Sequence, residues 1–263
     1  MIRSALMNVM TSAVMKAGRS LKRDFGEVEQ LVVSVKGPGD FVSAADRKAE
    51  KTLFEELSKA RPGYGFLMEE SGAVEGTDKS HRWIIDPLDG TTNFLHGLPI
   101  FAISVALECE GQLMAGVIYN PATDDIYVAE KGQGAWHNNH RLRVSPRRDM
   151  SDALIACGVP HLGKAQHHPR FKAELAAVMA KASNVRRLGA ASLDLALTAA
   201  GRFDAYWERD LQPWDIAAGI VLLREAGGFI SDLEGGQAML ETGSLCAGNE
   251  PIQRALMTIL RGA

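Results

Sequence analysis

The sequence predicts a mixed α/β protein in which helices and sheets alternate in layers. Three observations predict it. The first two dozen residues repeat apolar side chains at helical spacing. Residues 100–130 carry three apolar runs separated by turn residues, the pattern of a strand meander. Beyond residue 150, short apolar runs alternate with helical patterns.

The elements follow in order. Ile2, Leu6, Val9, Met10, Ala13, Val14 and Ala17 lie on one helical stripe, so an N-terminal helix is predicted. Residues 34–42 contain Gly37, Pro38 and Gly39, which predicts a mobile loop. A second helix should begin near Ser43, a good N-cap residue, and run to about Ala60 on the stripe Ala45, Ala49, Leu53 and Leu57. Tyr64–Met68 and Arg82–Asp86 read as strands, each ending in acid. Strands are expected at 100–109, 113–119 and 125–130, with turns at Glu110-Gly111 and Asn120-Pro121. The polar, basic stretch 137–150 suggests a boundary, placing subregions at 1–145 and 146–263 within one functional unit. In the second subregion, strands are expected near 153–156, 184–187, 203–207, 229–231 and 244–247. Helices are expected near 170–181, 191–200 and 214–226, with a last one from about Glu250.

Bulk properties narrow the function. Of 263 residues, 46% are hydrophobic and 23% charged, enough for a full core without staples. The net charge of −3 gives no bulk attraction to nucleic acid or to an anionic membrane, so direct nucleic-acid binding is not expected. No run approaches a membrane span, and the N-terminus lacks a long apolar signal segment. Cys109, Cys157 and Cys246 are odd in number and far apart, which argues against disulfides or a zinc site and fits a reduced cytoplasmic compartment.

The chemistry concentrates in residues 83–94, Trp-Ile-Ile-Asp-Pro-Leu-Asp-Gly-Thr-Thr-Asn-Phe. Asp86 and Asp89 close a run that should be buried, where two nearby carboxylates are costly without a partner. Lys79, His81 and Arg82 lie before them in the chain, so a bound cation is the economical solution. The donors at hand are oxygens, with no His or Cys at ligand spacing, which favours Mg²⁺, with Mn²⁺ as a substitute, over zinc or copper. Further acids stand at Asp46 with Glu50, at Glu69-Glu70, and at Asp215. In isolation these read as a solvated helix face, an exposed turn and a helix-dipole cap. His96 reads as a structural donor, and His167-His168 as a solvated pair. Gly90-Thr91-Thr92 would expose backbone N–H groups to an oxyanion, and Leu188-Gly189-Ala190-Ala191-Ser192 repeats that pattern.

Those residues carry a resemblance. The segment 83–94, the later Trp214-Asp215-Ile216-Ala217-Ala218-Gly219, Met68-Glu69-Glu70-Ser71 and Ser43-Ala44-Ala45-Asp46 together closely resemble the inositol monophosphatase family of magnesium-dependent, lithium-sensitive phosphatases, over essentially the whole chain. The resemblance implies an α-β-α-β-α sandwich, a homodimer, and two or three Mg²⁺ ions. It implies metal ligands at Glu69, Asp86, Asp89 and Asp215, with the carbonyl of Leu88. Phosphate would rest on Gly90 and Thr91. The polyol or sugar would meet Asp89, the turn Gly189, Ala190 and Ala191, and Glu208, beside Asp215. Glu69 and Thr91, with Asp46 behind, would orient the attacking water, Asp86 would bridge two metals, and Lys36 would lie near the site. The expected reaction is hydrolysis of myo-inositol monophosphate by metal-activated water, with Li⁺ inhibitory.

Rival readings are discriminated by residues. A haloacid-dehalogenase-like phosphatase needs D-x-D-x-T, whereas here the spacing is D-x-x-D-G-T. Relatives on the same scaffold hydrolyse fructose 1,6-bisphosphate, other sugar phosphates, histidinol phosphate, NADP or adenosine bisphosphate. A bisphosphate enzyme would want basic residues at the polyol end, for which Arg186, Arg187 and Arg209 are the candidates. A regulatory protein on a phosphatase scaffold, acting in RNA metabolism, is the third alternative.

Overall fold

The computed structural model describes residues 4–27, 33–37 and 40–263, with side chains at 4–27 and from 44 onward. Ile2, Pro38, Gly39 and the side chains of Ser43 and Lys36 therefore lie outside the described residues.

The first helix, α1 (Ala5–Phe25), is capped by Ser4, whose hydroxyl accepts from the Met7 N–H, and buries Met7, Met10, Val14, Ala17 and Leu21. β1 (Val33–Gly37) and β2 (Asp40–Ser43) pair antiparallel. Paired strands thus stand where a loop is expected; the β-branched alternation Val33-Ser34-Val35 outweighs Gly37, which closes β1 and pairs with Asp40. α2 (Ala44–Ala60) begins one residue after Ser43.

A large sheet follows. Its strands are β3 (Tyr64–Met68), β4 (Gly72–Val74), β5 (Asp78–Asp89), β6 (Ala102–Cys109), β7 (Gln112–Asn120), β8 (Asp125–Glu130), β9 (Gly134–His137) and β10 (His140–Arg141). They run in the order β10-β9-β8-β7-β6-β5-β3-β4, and only β3 and β5 are parallel. The short helix α3 (Thr91–Leu95) sits between β5 and β6. β5 is longer than expected, so Lys79, His81 and Arg82 belong to the strand itself.

A second sheet takes β11 (Leu154–Cys157), β12 (Asn184–Arg186), β13 (Ala205–Glu208), β14 (Phe229–Ser231) and β15 (Leu245–Gly248) in the order β12-β11-β13-β15-β14. Between its strands come α4 (His168–Met179), α5 (Ala191–Ala199), α6 (Pro213–Glu225) and α7 (Met239–Thr242), and α8 (Glu250–Arg261) closes the chain. β9 and β10 form a small hairpin at the start of the stretch read as a boundary.

Three cores separate five layers. α1 and α2 pack on one face of the large sheet through Leu21, Leu53, Trp83, Ile85 and Phe94. α5 and α6 fill the space between the two sheets with Ile84, Leu195, Ile216, Ile220 and Tyr206. α4 and α8 cover the far face of the second sheet with Trp207, Val178, Leu256 and Leu260. The order of layers is α-β-α-β-α. α5 and α6 are nearly continuous apolar helices because both of their faces are covered, as a middle layer requires.

One irregularity positions the site. Asp86 pairs with Ser104 and Asp89 with Ala102, so three residues of β5 span two of β6. This is a β-bulge, and Pro87 sits in it, where a missing N–H costs no ladder bond. Residues two apart on β6 share a face, so Asp86 and Asp89 share one as well. The burial agrees: Ile85 and Leu88 both belong to the core under α1 and α2. The acids face the opposite side, where α5 and α6 lie.

Candidate active site

Four acids arrive at that face from three elements. Asp86 and Asp89 come from the end of β5, and Glu69 from the turn after the parallel neighbour β3, its N–H donating to the Ile85 carbonyl at 3.2 Å. Asp215 comes from the first turn of α6, where its Oδ2 accepts from the Gln212 N–H at 2.7 Å. α6 is steered there by Ser104, the partner of Asp86 across the sheet, whose hydroxyl donates to the Trp214 carbonyl at 3.3 Å.

The cluster is electrostatically frustrated. Burial, then the carboxylates of Glu69, Asp89 and Asp215, push the Asp86 carboxyl well above its ordinary range. Burial, then Asp89, does the same to Asp215. Asp89 is also raised by burial, although the Ser192 N–H and hydroxyl donate to its Oδ2 at 2.7 and 2.5 Å. Like charges at this density call for a cation. Among the described residues no three His, Cys, Asp or Glu side chains are already arranged to hold a metal ion. Uncompensated carboxylates turn toward whatever donors are near, as Asp86 does toward the Leu88 N–H at 2.9 Å and Asp215 toward Gln212. The donor set, all oxygen and all anionic or carbonyl, fits a hard divalent cation.

The two predicted turns meet here. Gly90 has φ +87°, and a Cβ there would lie 2.8 Å from the Ile100 carbonyl oxygen and 3.2 Å from the Cβ of Ala190. Only glycine satisfies both the backbone and the close approach. Asn93 locks the contact: its Nδ2 donates to the Ile100 carbonyl at 2.8 Å and the Leu188 carbonyl at 2.9 Å. Gly189, Ala190 and Ala191 are thereby held beside Gly90 and Thr91. The Thr91 hydroxyl is shared between the Leu88 carbonyl at 3.0 Å and Asp46 Oδ1 at 3.2 Å.

Asp46 and Glu50 are buried, which overturns the solvated-face reading. Positions 46, 49, 50, 53 and 57 share one helical face of α2, so the apolar stripe carries both acids inward. Glu50 accepts from the Glu70 N–H at 2.8 Å and from the Ser71 hydroxyl, and so holds the turn that presents Glu69. The sequence marks it beside Asp46 but assigns a role to Asp46 alone.

A cleft of about 530 Å³ opens on the acids, with Glu69, Asp215, Glu208, Trp214, His161 and Lys164 in its walls. Glu208 ends β13 and accepts from the Tyr206 hydroxyl; burial is the main cause that carries its carboxyl from 4.5 to about 7. Asp194 on α5, unnoticed in the sequence, is 1% exposed, and its Oδ1 has no hydrogen-bond partner. His161 and Lys164 were also missed; the only hint was a polar loop following the C-terminal end of a strand.

Other expectations fall elsewhere. Arg209 is spent on the buried Glu174, at 2.6 Å, and so is not a free cation for a second phosphate. Arg186 is exposed, bonded to Asn184. The guanidinium of Arg187 lies over Gly189. His167 is partly exposed and pairs with Asp210 at 2.5 Å, and His168, also half-buried, meets the Pro160 carbonyl at 3.0 Å. His96 is exposed at the end of α3. All three cysteines are free, and burial pushes the Cys157 thiol up to about 12. Among the described residues no helix is long and apolar enough to cross a membrane.

Comparison with known proteins bears on this geometry. A model described as the inositol monophosphatase family matches residues 3–262. An inositol-1-monophosphatase of Mesorhizobium japonicum is 66% identical, covering 99% of this chain and 98% of its own. The crystal structure of an extragenic suppressor protein suhB from Bartonella henselae superposes with a TM-score of 0.96 at 58% identity, over 98% of this chain and 99% of that one. Nus factor SuhB of Escherichia coli K12 is 39% identical over 97% of this chain and 96% of its own.

Proposed function

Because the chain belongs to the inositol monophosphatase family, and is thus a phosphatase, we propose that it hydrolyses myo-inositol monophosphate to myo-inositol and phosphate with Mg²⁺. The observation that carries this reading is the convergence of Glu69, Asp86, Asp89 and Asp215 on one face, against the turn Gly90-Thr91.

Glu69, Asp86, Asp89 and Asp215, with the Leu88 carbonyl, would hold two or three Mg²⁺ ions, Mn²⁺ being a substitute and Li⁺ an inhibitor. When bound, such ions lower the pKa of water and stabilise a leaving alkoxide. The protein's own groups do the rest. The backbone N–H groups of Gly90 and Thr91 receive the phosphate oxygens. Thr91, held by Asp46 and the Leu88 carbonyl, orients the attacking water together with Glu69 and takes part in moving its proton. Asp89, the turn Gly189–Ala191 and Glu208 meet the polyol hydroxyls and fix the ester oxygen in line. The enzyme acts as a homodimer, a statement that light scattering checks.

The test is phosphate release from both myo-inositol 1-phosphate enantiomers, fructose 1,6-bisphosphate, histidinol phosphate and NADP, with and without Mg²⁺ and Li⁺. Inositol phosphates should dominate; equal turnover of all five would sink the specific substrate. The commitment of Arg209 to Glu174 speaks against a bisphosphate. A second reading draws on the relative named a Nus factor: an added role in RNA metabolism. It predicts a specific partner that Asp86→Asn still captures.

A further inference from the structure

Gly158 follows β11, and its N–H donates to the Trp207 carbonyl at 3.2 Å, which carries the parallel ladder one step past the Cys157–Trp207 pair. The next residue of the neighbouring strand is Glu208. A Cβ on Gly158 would lie 1.7 Å from the Glu208 carboxyl carbon and 1.9 and 2.1 Å from its two oxygens. Gly158 does not have the positive φ that reserves Gly90 for glycine, so its backbone suits any L-residue. Space alone forbids a side chain here, and one carboxyl occupies that space.

The carboxyl cannot retreat inward. Tyr206, which donates to it, is 0% exposed, and Cys157 is 2% exposed. A neighbouring acid, Asp194, sits in the protein interior with an oxygen already unpartnered. Outward there is room: Glu208 lines both the cleft of about 530 Å³ and a neighbouring cavity of about 320 Å³. Any group added to Gly158 therefore drives the carboxyl off Tyr206 and into the volume that substrate would fill.

We infer that Gly158 is a specificity-determining positioning residue, whose missing side chain seats the Glu208 carboxyl flat against the end of β11 at the depth where it meets a polyol hydroxyl. The inference rests on the proposal that Glu208 contacts the polyol. It assigns Gly158 no contact with the phosphate or the metal ligands, so its effect separates the two ends of the substrate.

The experiment compares Gly158→Ala, Glu208→Asp and the double variant with wild type, in Mg²⁺, on myo-inositol 1-phosphate and on p-nitrophenyl phosphate, a monoester without polyol hydroxyls. Gly158→Ala should raise KM for the inositol ester by about tenfold or more, the loss of roughly one good hydrogen bond, while kcat/KM for the nitrophenyl ester changes less than about threefold. The double variant, whose carboxyl is one methylene shorter and clears the new methyl, should recover part of the inositol KM relative to Gly158→Ala. A crystal structure of Gly158→Ala should show the Glu208 carboxyl off the Tyr206 hydroxyl. An unchanged inositol KM, an equal loss on both substrates, no rescue in the double variant, or a carboxyl still on Tyr206 would each overturn the inference. If Gly158→Ala fails to fold and the double variant folds, the seat is confirmed; if neither folds, space for Glu208 is not what the glycine provides. A wild type that ignores inositol phosphate overturns the proposed function instead, and the crystal structure then still decides the seating of Glu208.

Discussion

Asp86 sits among like charges. It is 2% exposed and is pushed toward its protonated form first by burial and then by three neighbouring carboxylates. Removing its charge should relieve the protein and disable the enzyme together. Asp86→Asn is expected to lose more than about 100-fold in Mg²⁺-dependent kcat, measured by phosphate release, while its metal-free melting temperature at pH 8 stays level or rises. Thr91 is a different kind of residue, working through one shared proton. Thr91→Ser should retain most activity, and Thr91→Ala should fall by about 10–100-fold, since only the hydroxyl reaches Asp46 and the Leu88 carbonyl. Glu208 supplies a pH dependence. Its folded carboxyl titrates near 7 against 4.5 ordinarily, so the folded state binds more protons than the unfolded state between those values. Stability therefore falls as pH rises through that window and levels off above about 7. Glu208→Gln should melt above wild type at pH 8, and the gain should vanish below pH 4.5; a gain that does not vary with pH would contradict the assignment.

At the scale of elements, the site is a set of ties between pieces that are distant in the chain. Asn93 joins α3 to the turn before α5, across 95 residues to Leu188. Asn93→Ala leaves two partly buried carbonyls short of a donor and should cost about 1–3 kcal/mol in chemical denaturation. It should also raise KM more than it lowers kcat, because the two turns proposed to take phosphate and polyol lose their register. The sequence announced both turns, but not the amide between them, since nothing local marks Asn93 as reaching residue 188. Asp46 and Glu50 show the opposite situation. Their inward direction was readable from the stripe they share with Ala49 and Leu53, and the habit of placing charge outside concealed it. Periodicity fixed most helices and strands within one or two residues, as with α6 and β8. It failed for β1 and β2, where Gly37 is taken into a strand and pairs with Asp40.

For the whole molecule, the five layers place the acids where two sheets and a middle layer of helices meet. α5 and α6 read as buried helices because they are apolar all round, so the layering was legible as composition. Which strands pair was not, because β13 and β15 are joined across some forty residues. The global consequence is a linkage between metal and protons. Asp86, Asp89 and Asp215 are all raised above 3.8, so without metal the folded state holds extra protons and loses stability as pH rises from that value. A cation that binds the ionised acids reverses the sign. Calorimetry should find the melting temperature of the chelated protein higher at pH 5 than at pH 8. The increment on adding Mg²⁺ should be larger at pH 8. An increment independent of pH would separate the metal from these carboxylates.

The bulge at Pro87 has a consequence best put as arithmetic. A strand counts side chains in twos, yet this segment holds two acids three residues apart on one side. Substitution within 86–89 changes a side chain, whereas loss of the bulge changes parity. Straightened with no residue lost, β5 would look more regular than the native strand and turn Asp89 into the core beneath α1 and α2. In this segment the irregularity itself keeps the two acids together, and a perfect strand of the same length would part them.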